Sequence, residues 1–247
     1  MDARYSQDKH LSQRNSLKEA IERIVVEPAP VLLLDACSML DIVRAPLNRG
    51  GEQTVRAAVA LTSTEVSVWL VLAEVAEREW HNNLPSVVRD CTTKLVQLEE
   101  SVSHARAALA PLAGAETAAV LPSGAVASVE LLRALGARMV DRALRLDPDE
   151  RCRLAAGDRV AGGYPPSRRG KEQYTDCEIL EHYLELARQL RAVEFDHPVV
   201  FVSSNTIDYG KPPQPREPLA REFQEAGIEF TTTLDWALAV LGRSRRS

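Results

Sequence analysis

Asp35, Glu79, Asp176 and Asp208 are the residues of this chain whose type and position suit them best to chemistry. Asp35 directly follows the apolar run Val31-Leu32-Leu33-Leu34, and Asp208 lies shortly after Val199-Val200-Phe201-Val202, in the stretch Ser203-Ser204-Asn205-Thr206-Ile207-Asp208. Continuous apolar runs of this kind form strands buried on both faces of a parallel sheet. In open α/β sheets, ligand sites lie outside the carboxyl ends of such strands. On a helix beginning at Tyr174, Asp176 shares a stripe with Ile179, Leu180, Tyr183, Leu184, Ala187 and Leu190, while Glu178 and Glu181 fall on the opposite side, expected to face solvent. An acid on a core-facing side is costly unless it is paired, hydrogen-bonded or bound to a metal, which singles out Asp176. In Leu72–Trp80, the apolar face of Leu72, Val75 and Ala76 carries Glu79, whereas Glu74 and Glu77 are expected to point away. Glu74 is the reserve for Glu79, because helix starts are uncertain by a few residues.

Each acid also has a structural reading: a helix N-cap for Asp35, a turn for Asp208, dipole stabilisation of a first turn for Asp176 and a core-edge ion pair for Glu79. Brought together, the carboxylates would repel one another unless a divalent cation neutralised them. All-oxygen ligation suits Mg²⁺ or Mn²⁺ and not Zn²⁺, since no His/Cys set has ligand spacing. Two such ions about 4 Å apart polarise a phosphodiester, activate the attacking water and stabilise the leaving oxygen. That is the chemistry of a nuclease.

The elements that must position these acids follow from pattern. Ser16-Leu17-Lys18-Glu19 is a capping box, and Ile21, Ile24 and Val25 continue it at helical spacing. Pro28 and Pro30 break the chain before the first strand. A second β-rich run, Val66–Val71, leads into a helix ending near Trp80, and a short run Ile228-Glu229-Phe230 follows Gly227. Strands separated by helices indicate an α/β fold with crossover connections. From about 84 to 165 the chain is rich in Ala, Leu, Arg and Glu with no strand signal beyond a weak one at Ala119–Leu121, and it reads as a helical insertion. Gly162 to Lys171 is a turn-rich, locally basic connector back to the sheet. Within it, Lys171 is the candidate phosphate contact, with Arg168 and Arg169 read as a solvated loop.

The chain has 247 residues, 45% hydrophobic and 26% charged, which excludes a disordered tail or a disulfide-built miniprotein and allows one large domain carrying an insertion. The net charge of −5 means that a polyanion must be met by a local basic patch. No apolar run is long enough to cross a bilayer and no secretory leader is evident, so a cytoplasmic location is expected. Cys37, Cys91, Cys152 and Cys177 lack C-x-x-C spacing and are read as small core residues. Trp80 is read as buried more readily than as a stacking platform, and Arg243, Arg245 and Arg246 form a small basic tail.

Taken in order, Val31-Leu32-Leu33-Leu34-Asp35, Ala73–Trp80, Lys171–Glu181 and Phe201–Tyr209 resemble the motifs of the PIN-domain family of metal-dependent nucleases, in a longer branch with a helical insertion. The resemblance implies a Rossmann-like α/β/α sandwich with a parallel central sheet. It implies Mg²⁺ or Mn²⁺ held by Asp35, Glu79, Asp176 and Asp208, support from Ser203 and Asn205, and hydrolysis of single-stranded or structured RNA. On this reading residues 1–30 are an N-terminal arm and helix, and 31–247 are the nuclease domain interrupted at about 84–165. The chain departs from the family in having Ala73 where a proline often precedes the second acid. A non-catalytic module binding RNA or protein, and a toxin held by a protein inhibitor, are the alternatives. Haloacid-dehalogenase-type phosphatases are disfavoured because position 37 is Cys37 and not a second aspartate, and no P-loop or dinucleotide glycine motif is present.

Overall fold

Val31–Leu34 and Val199–Val202 are buried along their whole length, as their unbroken apolar runs require, and they pair with each other in the middle of the sheet. The computed structural model describes residues 14–109, 124–168, 173–211 and 214–242. In chain order the elements are α1 (Leu17–Val26), β1 (Val31–Leu34), α2 (Ala36–Arg44), a 3-10 turn (Ala45–Leu47), α3 (Gly51–Thr62), β2 (Trp69–Ala73) and α4 (Glu74–Leu109). There follow α5 (Ala125–Arg142), β3 (Leu144–Leu146), α6 (Glu150–Gly162), α7 (Tyr174–Ala192), β4 (Val199–Val202) and α8 (Thr206–Tyr209). A two-residue ladder of β5 (Gly210–Lys211) and β6 (Gln214–Pro215) precedes α9 (Leu219–Ala226), β7 (Ile228–Thr231) and α10 (Leu234–Leu241).

The main sheet has five parallel strands in the order β3-β2-β1-β4-β7. Helices α1, α6 and α9 pack around α7 on one face, while α2, α3, α5 and α10 form a layer on the other. The result is a Rossmann-like α/β/α sandwich. The chain runs outward from β1 through β2 to β3, then returns to β4 on the other side of β1 and continues to β7. The carboxyl ends of β1 and β4 are therefore the switch point of the sheet, where a crevice opens because the connections leave in opposite directions.

The capping box at the start of α1 forms as its sequence predicts: Ser16 Oγ accepts from the Glu19 amide and the Glu19 carboxylate accepts from the Ser16 amide at 2.8 Å. Two features differ from the sequence pattern. The stretch read as a helical insertion supplies the edge strand β3, a three-residue strand with Arg145 at its centre and hence too short and too polar to register. The helix expected to end near Trp80 runs on to Leu109 through Pro85. The weak strand signal at 119–121 lies outside the described residues. Among the described residues no helix is long and apolar enough to cross a membrane.

Strands β1 and β2 are in register from Val31 and Trp69 to Leu33 and Val71, and then they part. Beyond that point Ala73 pairs with Leu146 of β3, while Leu34 pairs with Val202 of β4. Tyr183, buried in the middle of α7, fills the split. Its phenol donates to the Leu34 carbonyl at 2.6 Å and accepts from the Ala73 amide at 3.1 Å. Burial pushes the phenol pKa up, which keeps the hydroxyl neutral and able to donate.

Tyr183→Phe leaves a buried amide and a buried carbonyl without their shared partner. It is expected to lower stability by about 1–3 kcal/mol in urea unfolding, with little change in the dependence on denaturant.

Candidate functional site

The site begins with the register of β1 and β4. Leu34 lies opposite Val202, so the residues that follow them, Asp35 and Ser203, emerge side by side at the switch point. Ser203 Oγ donates to Asp35 Oδ2, and the same carboxylate oxygen receives the Cys37 thiol at 2.8 Å. Ser203 Oγ also accepts from the Asn205 amide at 3.2 Å. Asp35 occupies the N-cap position of α2 but its side chain does not cap the helix, which leaves the carboxylate to the crevice. Burial raises its pKa, against the lowering effect of the Cys37 and Ser203 hydrogen bonds. Cys37, read from sequence as a core residue, is instead a site residue, and its thiol pKa is pushed well up by burial and then by the Asp35 charge. Its position in the first turn after a strand-end aspartate was the signal available for it.

Asn205 joins the remaining aspartates. Its side-chain oxygen caps α8 by accepting from the Asp208 amide, and its Nδ2 donates to Asp208 Oδ2 at 2.9 Å and reaches Asp176 Oδ2 at 3.4 Å. One amide thus spans two carboxylates from different elements. Asp208 is 2% exposed and also receives Gln173 Nε2 at 2.7 Å and the Arg168 guanidinium. Asp176 is half-buried in the first turn of α7, where the helix dipole favours an anion. The Tyr209 hydroxyl donates to the Asp176 carbonyl at 3.2 Å and so fixes α8 against the start of α7. Gly210, at φ +98°, then turns the chain sharply; a side chain there would come within 2.6 Å of the Arg216 amide.

Glu79 approaches from α4. A cavity of about 390 Å³ lies between α4 and the start of α7, lined by Glu79, Asn82, Asn83, Gln173, Thr175 and Asp176 among others. Glu79 Oε2 is buried there with no hydrogen-bond partner. The Glu79 pKa is raised to about 7, first by burial and then by the negative charge of Asp35. Glu79 therefore shares a cavity with Asp176 and an electrostatic field with Asp35.

Several neighbours lie elsewhere than their pattern suggests. Glu74, the reserve acid, is engaged by Arg78 and by Arg14. Glu77, expected to face solvent, is buried between Arg14 and Arg145, each at 3.4 Å. Glu178 and Glu181 are also buried and not solvated, because α6 covers that side of α7. Arg153 meets Glu178 at 3.0 Å, and Arg159 binds Glu181 and, at 3.0 Å, Glu222. A single-helix stripe carries no information about a second layer of helices. Arg168, read as part of a solvated loop, contacts Asp208. Trp80 is buried in the core, as read. Lys171, Arg169, Arg243, Arg245 and Arg246 lie outside the described residues.

The donors offered to the crevice by Asp35, Glu79, Asp176, Asp208, Ser203 and Asn205 include the hard oxygens that Mg²⁺ and Mn²⁺ prefer. Among the described residues, no three or more His, Cys, Asp or Glu side chains form a group that could hold a metal ion. A small divalent ion keeps several waters and commonly uses one or two carboxylates, so the donor chemistry still fits, with the orphaned Glu79 oxygen a free ligand atom. Comparison of the chain with protein-family models, with curated proteins and with solved structures returned no match. What the fold and the site show is a parallel α/β sandwich with Asp35 and Ser203 side by side at its switch point and a cavity lined by Glu79 and Asp176 between α4 and α7.

Because the Glu79 pKa lies near 7 in the fold against 4.5 ordinarily, the unfolded chain ionises first as pH rises between those values. Stability is lost across that window, and the full penalty applies above pH 7. Glu79→Gln in EDTA is expected to raise Tm by about 2–4 °C at pH 8, with the gain vanishing toward pH 4.5.

Proposed function

We propose that the chain is a divalent-metal-dependent nuclease that hydrolyses phosphodiester bonds, with RNA as its substrate. The observation that supports this reading is the cavity shared by Glu79 and Asp176, which the Asn205 amide links to Asp208, with a buried carboxylate oxygen of Glu79 left unpartnered. Proteins seldom bury such a group without a ligand or a proton. The choice of RNA rests on the resemblance of the ordered motifs to the PIN-domain nucleases.

Asp35, Asp176, Asp208 and Glu79 would hold Mg²⁺ or Mn²⁺, which when bound lowers the pKa of water and screens charge on the phosphate and the leaving oxygen. Ser203 holds Asp35 in place and is itself held by the Asn205 amide. Asn205 keeps the Asp176 and Asp208 carboxylates facing one another across its amide, so their mutual repulsion is borne by a fixed dipole. Glu79 Oε2, buried without a hydrogen-bond partner, is the carboxylate oxygen left open for such an ion.

A second reading has its own support. Both Asp208 oxygens already carry donors from the protein, as they would in a non-catalytic binding module. End-labelled single-stranded RNA and matching DNA, incubated with Mn²⁺, Mg²⁺ or EDTA, separate the two. Metal-dependent cleavage that falls by at least about 100-fold in Asp35→Asn and Asp176→Asn is expected. Equal behaviour of wild type and variants in every metal, with no divalent-ion heat in calorimetry, would replace the nuclease by the binding module.

A further inference from the structure

The crevice contains a cation of its own. Arg168 holds Asp208 Oδ1 with one terminal nitrogen, which also reaches the Ile207 carbonyl at 3.2 Å, while Gln173 and Asn205 occupy Oδ2. Both Asp208 oxygens therefore carry protein donors, and a divalent ion that binds there competes with them. Gln173 and Asn205 are neutral, and Asn205 is built into the cap of α8. Arg168 differs on both counts, being charged and, with 39% of its side chain exposed, already partly in solvent. Its Nε is buried without a hydrogen-bond partner, so the guanidinium spends only part of its fork on Asp208. A phosphate uses that fork bidentately, through Nε and a terminal nitrogen, and competes well for it.

We propose that Arg168 is an internal counter-ion that competes with the divalent cation for Asp208 and gives way when a phosphate of the nucleic acid takes its guanidinium. This rests on the nuclease reading above. In the resting chain the buried Asp208 carboxylate is neutralised by Arg168 and divalent-ion affinity is held down. Substrate draws the guanidinium to its backbone, vacates Asp208 Oδ1 and thereby strengthens metal binding. By linkage the bound ion strengthens substrate binding by the same factor. The exchange confines an assembled site to chains that have nucleic acid in the crevice.

The test is calorimetric titration of Mn²⁺ into the full chain, with and without a cleavage-resistant 2′-O-methyl RNA oligonucleotide, for wild type, Arg168→Gln and Arg168→Lys. Arg168→Gln is expected to bind Mn²⁺ about tenfold tighter than wild type in the absence of oligonucleotide. The oligonucleotide is expected to tighten Mn²⁺ binding to wild type by about the same factor and to leave Arg168→Gln unchanged. Arg168→Lys keeps the charge but not the fork, and is expected to fall between the two. It also serves as the test should Arg168→Gln fail to fold. Equal Mn²⁺ affinity in wild type and the folded variants, with equal response to oligonucleotide, overturns the role of Arg168 and leaves the nuclease reading standing. Absence of Mn²⁺ binding in all three proteins overturns the metal-site reading and this proposal with it.

Discussion

Where β1 and β2 part company, the Tyr183 phenol accepts from Ala73 and donates to Leu34, and the rest of the crevice is arranged around that bridge. Two parallel strands that diverge leave backbone groups facing each other across a gap, and buried groups of that kind need partners. A single hydroxyl, donor and acceptor at once, satisfies both. It also fixes α7 at mid-length against the sheet, so that Asp176, two turns toward the amino end, is delivered to the same rim as Asp35.

The acids are held by neutral donors more than by ion pairs. Asp35 is kept by a hydroxyl and a thiol, and Asp176 and Asp208 share the Asn205 amide. This contrasts with the helical layer behind, where Glu77, Glu178 and Glu181 are matched by Arg145, Arg153 and Arg159. Buried acids that meet arginines there serve packing, because each pair cancels its charge locally. Acids held by dipoles keep their charge available. The raised pKa values of Asp35 and Glu79 express the cost of that arrangement, which a cation or a proton relieves.

Arg168 stands apart from both patterns. It is a charged partner inside a site otherwise built from dipoles, with one nitrogen engaged, another donor idle and a substantial part of the side chain in solvent. Such a contact is well placed to exchange, whereas the Arg159 pairs, closed off between α6, α7 and α9, are not.

By itself the sequence determined the elements whose signals are local. The apolar runs of β1 and β4, the capping box of α1, the stripe of α7, the strand-end position of Asp35 and that of Asp208 shortly beyond β4 need only neighbouring residues to be read, because burial on both faces and helical period leave their mark along the chain. Tertiary structure decided everything that depends on distant segments. It placed the three-residue strand β3 at the sheet edge, where pairing with β2 outweighs its weak propensity. It buried Glu178 and Glu181 under α6, turned Cys37 and Arg168 toward the acids, and set Glu79 rather than Glu74 at the cavity. These are matters of which surfaces meet, and a helix wheel or a strand pattern records only that a face is apolar, not what is brought to cover it.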